Sequence, residues 1–155
     1  MKKKIKFLIV LNLNTVIGSK LSLVNKVAKI LRQNHEVIIL KTQDTKDAKD
    51  IFKNISVESF DRMVIAGGDG SVNFAINELL QDDKLKDKII GIIPVGTANI
   101  LQIESKNESQ PEKICNVLVS SKTRRISLLK MNDSYFFLMA GVGFDSDIVY
   151  SVNKI

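Results

Sequence analysis

Between residues 5 and 120 the chain alternates two kinds of apolar pattern, and that alternation restricts its fold more than any other feature. Ile5 to Leu11 is a nearly continuous apolar run, the pattern of a parallel strand covered on both faces. Val24, Val27, Ala28 and Leu31 then fall at i, i+3, i+4 and i+7, one face of a helix. A second strand is expected over His35 to Leu40. The helix after it holds Ala48, Ile51, Phe52 and Ile55, with Asp44 placed to cap it. Met63 to Ala66 read as a third strand, and Val72, Ala75, Ile76, Leu79 and Leu80 line the next helix. Ile89 to Ile93 give a fourth strand ending at Pro94. Ser109 and Glu112 then form a capping box around Pro111, opening a helix that buries Ile114, Val117 and Leu118. Strands alternating with helices imply the α/β class, a parallel sheet flanked by helices.

The pattern changes after residue 122. Arg124 to Met131 and Tyr135 to Ala140 read as two strands joined by Asn132-Asp133-Ser134, with no helix between them, which means antiparallel pairing. The expected organisation is therefore an α/β domain over residues 1–122 and the beginning of an antiparallel, β-rich domain over 123–155 that the chain leaves unfinished.

Composition removes several function classes. A chain of 155 residues can bury a proper core, and 45% apolar with 26% charged residues fits neither a disordered nor a fibrous protein. One cysteine, Cys115, excludes an internal disulfide framework, and the single His35 leaves almost nothing for a zinc site. The apolar run behind Met1-Lys2-Lys3-Lys4 is too short for a leader and lacks a cleavage site. No stretch approaches the ~20 residues of a membrane span. The expected compartment is the cytoplasm. The net charge of +6 suits peripheral contact with an anionic membrane, where each Lys or Arg gains about 1 kcal/mol. No nucleic-acid partner is expected, since no aromatic-studded basic motif accompanies the charge. His35 reads as structural, Cys115 as a small buried hydrophobe, and Lys122, Arg124 and Arg125 as a solvated basic face.

The chemistry concentrates at Gly67-Gly68-Asp69-Gly70, which leaves the third strand and runs into a helix. In an open α/β sheet, ligands bind outside the carboxyl ends of the strands. Unpaired N–H groups and the helix dipole there favour an anion, and glycines permit close approach and positive φ. Ser71 adds a hydroxyl, and Asn73 is near enough to donate to a phosphate. A carboxylate beside phosphates would repel them, so Asp69 is expected to act through Mg²⁺ or to orient an attacking hydroxyl. The structural alternative is a tight turn in which Asp69 only caps the helix. A Walker loop is excluded, because no Gly-Lys-Ser/Thr follows. A second small-residue loop, Pro94-Val95-Gly96-Thr97-Ala98-Asn99, follows the next strand at the same sheet edge.

Gly67-Gly68-Asp69-Gly70-Ser71-Val72-Asn73 and Gly91-Ile92-Ile93-Pro94-Val95-Gly96-Thr97-Ala98-Asn99, followed by Gly141-Val142-Gly143-Phe144-Asp145, resemble in content and order the diacylglycerol kinase catalytic-domain family. NAD kinases share the Gly-Gly-Asp-Gly element and come second, because their downstream pattern lacks a Gly-Thr-Ala-Asn loop. The resemblance implies Mg²⁺-dependent transfer of the ATP γ-phosphate to a lipid hydroxyl at a membrane surface. It assigns nucleotide contacts to Thr42, to Gly67, Gly68, Asp69, Gly70, Ser71, Val72 and Asn73, and to Thr97, with Asp69 in a catalytic role.

Departures from the family pattern qualify the activity. Leu13 replaces the proline that usually follows Asn12, and that turn keeps only Gly18. Ser71 stands for threonine, while Phe74 and Ile100 stand where glutamate and aspartate are common. The family's general base and metal residues lie in its C-terminal domain, so the metal site here is unassigned. The alternatives to a self-sufficient kinase are half of a split kinase, completed by a separately encoded C-terminal part, and a catalytically inactive nucleotide-binding remnant.

Overall fold

The computed structural model describes residues 3–81, 88–100, 110–141, 143–144, 146–147 and 151. The apolar run near the N-terminus forms β1 (Lys6–Asn12), with Phe7 to Leu11 buried without interruption. It can be apolar on both faces because it lies inside a parallel sheet of order β2-β1-β3-β4. The other strands are β2 (Glu36–Thr42), β3 (Arg62–Gly67) and β4 (Ile89–Pro94). In register, Leu11 stands beside Lys41 on one side and Ala66 on the other, and Gly67 stands beside Pro94.

Four described helices accompany the sheet: α1 (Ser19–Leu31), α2 (Thr45–Asn54), α3 (Asp69–Leu80) and α4 (Pro111–Val119). Phe7, Ile9 and Leu11 share one core with Val24, Val27, Ala28 and Leu31 of α1 and with Ile114, Cys115 and Leu118 of α4. The alternate strand residues Leu8, Val10, Met63 and Ile65 are equally buried and point to the other face, by the period of two along a strand. α2 and α3 pack against β2 and β3 and against each other, through Phe52 and Phe74 at 6.2 Å between ring centroids. The sequence spacing predicted the buried residues of α1, and those of α3 apart from the half-buried Leu80.

Three local expectations change. The second strand begins at Glu36 and extends to Thr42. His35 sits before it, where its Nδ1 accepts from the Ile5 N–H at 3.2 Å and its ring meets Phe7 edge-on, which bears out a structural role. Gln110, without a side-chain cap, is the N-cap of α4, and the expected cap residue Ser109 lies outside the described residues. α4 buries Cys115 and exposes Val117, because the face turned to α1 is centred on Ile114, Cys115 and Leu118. A Cβ on Gly91 would come within 2.3 Å of Leu118 Cδ2, so the bare backbone of β4 makes room for this helix.

The chain divides into two compact units, Met1–Arg125 and Ile126–Ile155. In the second unit, β5 (Leu129–Met131) pairs antiparallel with β6 (Ser134–Phe136) around a turn with Asn132 at φ 54°. Both strands are shorter than the apolar pattern suggested, as expected of a two-stranded ribbon. Leu129 is 61% exposed and Phe144 78%.

Candidate functional site

The order β2-β1-β3-β4 creates a switch point between β1 and β3, because the chain leaves β1 toward one edge and returns to build on its other side. Crevices of this kind, outside the carboxyl ends of the strands, are where open α/β sheets bind ligands. The turn after β1 forms one wall. Asn12 Oδ1 accepts from the Asn14 N–H at 2.8 Å, its carbonyl accepts from the Val16 N–H at 2.9 Å, and Val16 is buried beneath. Gly18, at φ 55°, then turns the chain into α1. Leu13 packs half-buried against the core, so the substitution for proline is absorbed by packing.

The glycine loop forms the opposite wall. β3 ends at Gly67, Gly68 is the N-cap of α3, and Asp69 is its first residue. None of Gly67, Gly68, Gly70 and Gly96 has positive φ, contrary to the conformational role expected of the loop glycines. They serve by close approach. A Cβ on Gly67 would lie 2.5 Å from Ser71 Cβ, and one on Gly68 2.9 Å from Gly96 Cα. One on Gly96 would lie 2.3 Å from Gly68 Cα and 2.7 Å from Asn99 Oδ1. The two glycine loops are therefore in backbone-to-backbone contact.

Two side chains fix that contact. Asn99, in the left-handed region at φ 49°, accepts from the Gly96 N–H and donates to the Gly96 carbonyl, each at 2.9 Å. The loop 94–99 is thereby closed on itself. Asp69 Oδ2 accepts from the Ile100 N–H at 2.9 Å, bridging 31 positions of sequence. Asp69 is therefore tied to the neighbouring loop, and the N-cap position beside it carries no side-chain cap bond.

The remaining predicted residues fall into two groups. Ser71, Val72 and Asn73 occupy the first turns of α3, with Val72 buried and Ser71 half-buried over Gly67. Asn73 Oδ1 is buried without a hydrogen-bond partner, an unmet requirement uncommon in folded proteins. Thr97 is exposed at the tip of the second loop. The Gly68–Gly96 contact brings this set together. Thr42 stands apart, beside Asn12 at the end of β2, only 2% exposed, with its hydroxyl donating to the Leu11 carbonyl at 3.3 Å. Phe74, in place of glutamate, packs on Phe52 and belongs to the helix interface. Sequence reasoning quoted Asn99 within a motif without giving it a role; its signal was an asparagine three residues after a glycine, a residue that tolerates left-handed backbone.

The donor set suits a phosphate: N–H groups in the first turn of a helix, small residues over them, and a hydroxyl at Ser71. Among the described residues no group of three or more His, Cys, Asp or Glu could hold a metal ion. Away from this edge, the Cys115 thiol is pushed up to about 11 by burial and then by the nearby Glu112 carboxylate.

Comparison with known proteins agrees with this architecture. The profile of the diacylglycerol kinase catalytic domain matches residues 6–131. A diacylglycerol kinase of Staphylococcus carnosus is 26% identical over 126 residues, covering 81% of this chain and 40% of its own length. A diacylglycerol kinase of Bacillus subtilis is 28% identical over 125 residues, with 80% and 41% covered. A crystal structure described as a diacylglycerol kinase from Bacillus anthracis superposes with a TM-score of 0.67 at 20% identity, covering 88% of this chain and 51% of that one. The chain thus spans about two fifths of the curated relatives and half of the solved one. With three quarters or more of its length inside the matched profile, the chain belongs to the diacylglycerol kinase catalytic-domain family.

Proposed function

We propose that residues 1–122 form the ATP-binding domain of a lipid kinase, which transfers the γ-phosphate of ATP to a lipid hydroxyl at a membrane surface. The observation that carries this reading is the paired loop edge, in which Gly68 and Gly96 touch at the N-terminus of α3 while a Cβ on Gly70 would meet nothing within 4 Å. The N–H groups of Gly70 and Ser71 and the Ser71 hydroxyl would bind phosphate oxygens, and Thr97 would reach them from the second loop. Asn73 offers a buried amide whose oxygen has no partner. When bound with the nucleotide, Mg²⁺ would neutralise charge on the phosphates, as phosphoryl transfer requires. Thr42 would contribute to the site through its position at the sheet edge, since its hydroxyl is engaged with Leu11.

The relatives are about twice as long as this chain, and the acceptor pocket, general base and metal residues would belong to the β-rich part that residues 123–155 begin. Turnover would thus require that β-rich part. The enzyme would work in the cytoplasm with peripheral membrane contact. A second reading, a nucleotide-binding remnant without catalysis, is favoured by Phe74, which fills a helix interface instead of presenting a carboxylate. Titration calorimetry with Mg·ATP, then radiolabelled ATP with mixed diacylglycerols, with and without a partner C-terminal half, separates the readings. Binding with lipid phosphorylation is expected. Binding without turnover under both conditions establishes the remnant, and phosphorylation of NAD in place of lipid, or no nucleotide binding, overturns both.

A further inference from the structure

We propose that Asp69 is a positioning residue, which holds the 94–100 loop against the glycine loop through the Ile100 N–H and is not itself a ligand of a divalent cation. This rests on the nucleotide reading of the edge. The bond is 2.9 Å long and links residues one position after Gly68 and four positions after Gly96, where the two backbones meet. Asn99, immediately before Ile100, closes its own loop onto Gly96. Gly68–Gly96, Asn99–Gly96 and Asp69–Ile100 thus form three adjacent fastenings around one small circuit of backbone, and Thr97 is carried at its tip. A charged acceptor on a backbone N–H is among the stronger protein hydrogen bonds, so Asp69 contributes the largest polar share of the circuit.

A cation role fits these surroundings poorly. Mg²⁺ in nucleotide sites is held by one or two carboxylates together with substrate phosphates and water, and the Asp69 carboxylate is already engaged with the Ile100 N–H. The carboxylate oxygen Oδ2 is directed at the second loop. Its negative charge beside the phosphate-binding turn has a purpose without a metal, because the backbone N–H it neutralises locally belongs to the loop that must stay docked.

Asp69→Asn and Asp69→Ala, in the whole chain, test the proposal by two readouts. The first is amide exchange of Ile100 in the nucleotide-free protein. Asp69→Asn keeps an acceptor oxygen and should leave the exchange rate within about threefold of the parent, whereas Asp69→Ala should raise it about tenfold or more. The second is ATP affinity measured with Mg²⁺ and with EDTA. The ratio of the two affinities should be unchanged in Asp69→Asn, since no ligand has been lost. Equal Ile100 exchange in all three proteins overturns the proposal. So does loss of the Mg²⁺ dependence in Asp69→Asn with Ile100 still protected, which would make Asp69 a metal ligand. If Asp69→Ala does not fold, Asp69→Asn decides alone by the same two criteria. Failure of the parent to bind ATP overturns the nucleotide reading, and Ile100 exchange then still decides the role of Asp69.

Discussion

An alanine at Gly70 would meet no heavy atom within 4 Å, whereas one at Gly96 would bring its Cβ to 2.3 Å from Gly68 Cα. The atoms it meets at Gly96 are backbone and cannot swing aside. Gly96→Ala is therefore expected to destabilise the fold by about 1–3 kcal/mol, the range for overpacking a tight contact. Nucleotide binding should fall with it. Gly70→Ala should leave stability unchanged or raise it by up to about 1 kcal/mol, because alanine favours a helix that glycine weakens. If phosphate approaches the α3 N-terminus, Gly70→Ala still weakens ATP binding. Thermal melts and ATP titrations of the two variants check both statements. At this scale the sequence was only partly legible. The glycines pointed to the right loops, for close approach to a phosphate and for positive φ, whereas the structure uses them to bring two backbones together. Which glycine faces backbone and which faces solvent depends on a neighbour 28 positions away.

Two helices show where local chemistry ends and distant chemistry begins. Asp44 caps α2 by accepting from the Asp47 N–H at 2.8 Å, and Asp47 reaches back to the Gln43 N–H at 2.9 Å. The cap could be read from sequence because every partner lies within four residues. α4 ends differently. Arg62, at the start of β3, donates from Nη1 to the Leu118 carbonyl and, at 2.9 Å, to the Ser120 carbonyl. It satisfies oxygens that the last turn leaves without partners, and its charge complements the negative end of the helix dipole. Nothing near Arg62 in sequence announces a partner 56 residues on. Asp44→Ala should cost about 1 kcal/mol. Arg62→Met should cost about as much or more, since it leaves half-buried carbonyls unpaired. Urea unfolding of both variants measures these losses, and an Arg62→Met variant as stable as the parent would show that water replaces the guanidinium.

For the molecule as a whole, alternating patterns revealed a parallel sheet, but strand order had to come from the fold itself, since crossover connections leave no pairing signal in the sequence. Among the described residues, a buried thiol packed between two helices titrates in a way that reports on global unfolding. Cys115 Sγ lies 3.6 Å from the Val27 carbonyl between α1 and α4, and its thiol is pushed up to about 11, mainly by burial. An acid whose pKa is raised by folding keeps its proton longer in the native state than in the unfolded chain. Its contribution is thus fully present below the ordinary thiol value of 9.0 and is lost as pH rises through about 11. Unfolding free energies measured at pH 8 and at pH 11 should therefore fall more steeply for the parent than for Cys115→Ala. Equal slopes would place the thiolate in contact with water.

The contact between Gly68 and Gly96 also sets the timing of recognition. Because the chain itself holds the two loops together, the Gly68–Gly96 edge need not assemble when a ligand arrives. The loss of chain entropy has already occurred during folding, so capture should follow encounter without a separate slow phase. Ligand exchange would then be governed by how fast the ligand leaves, and selectivity by the fixed outline of the edge.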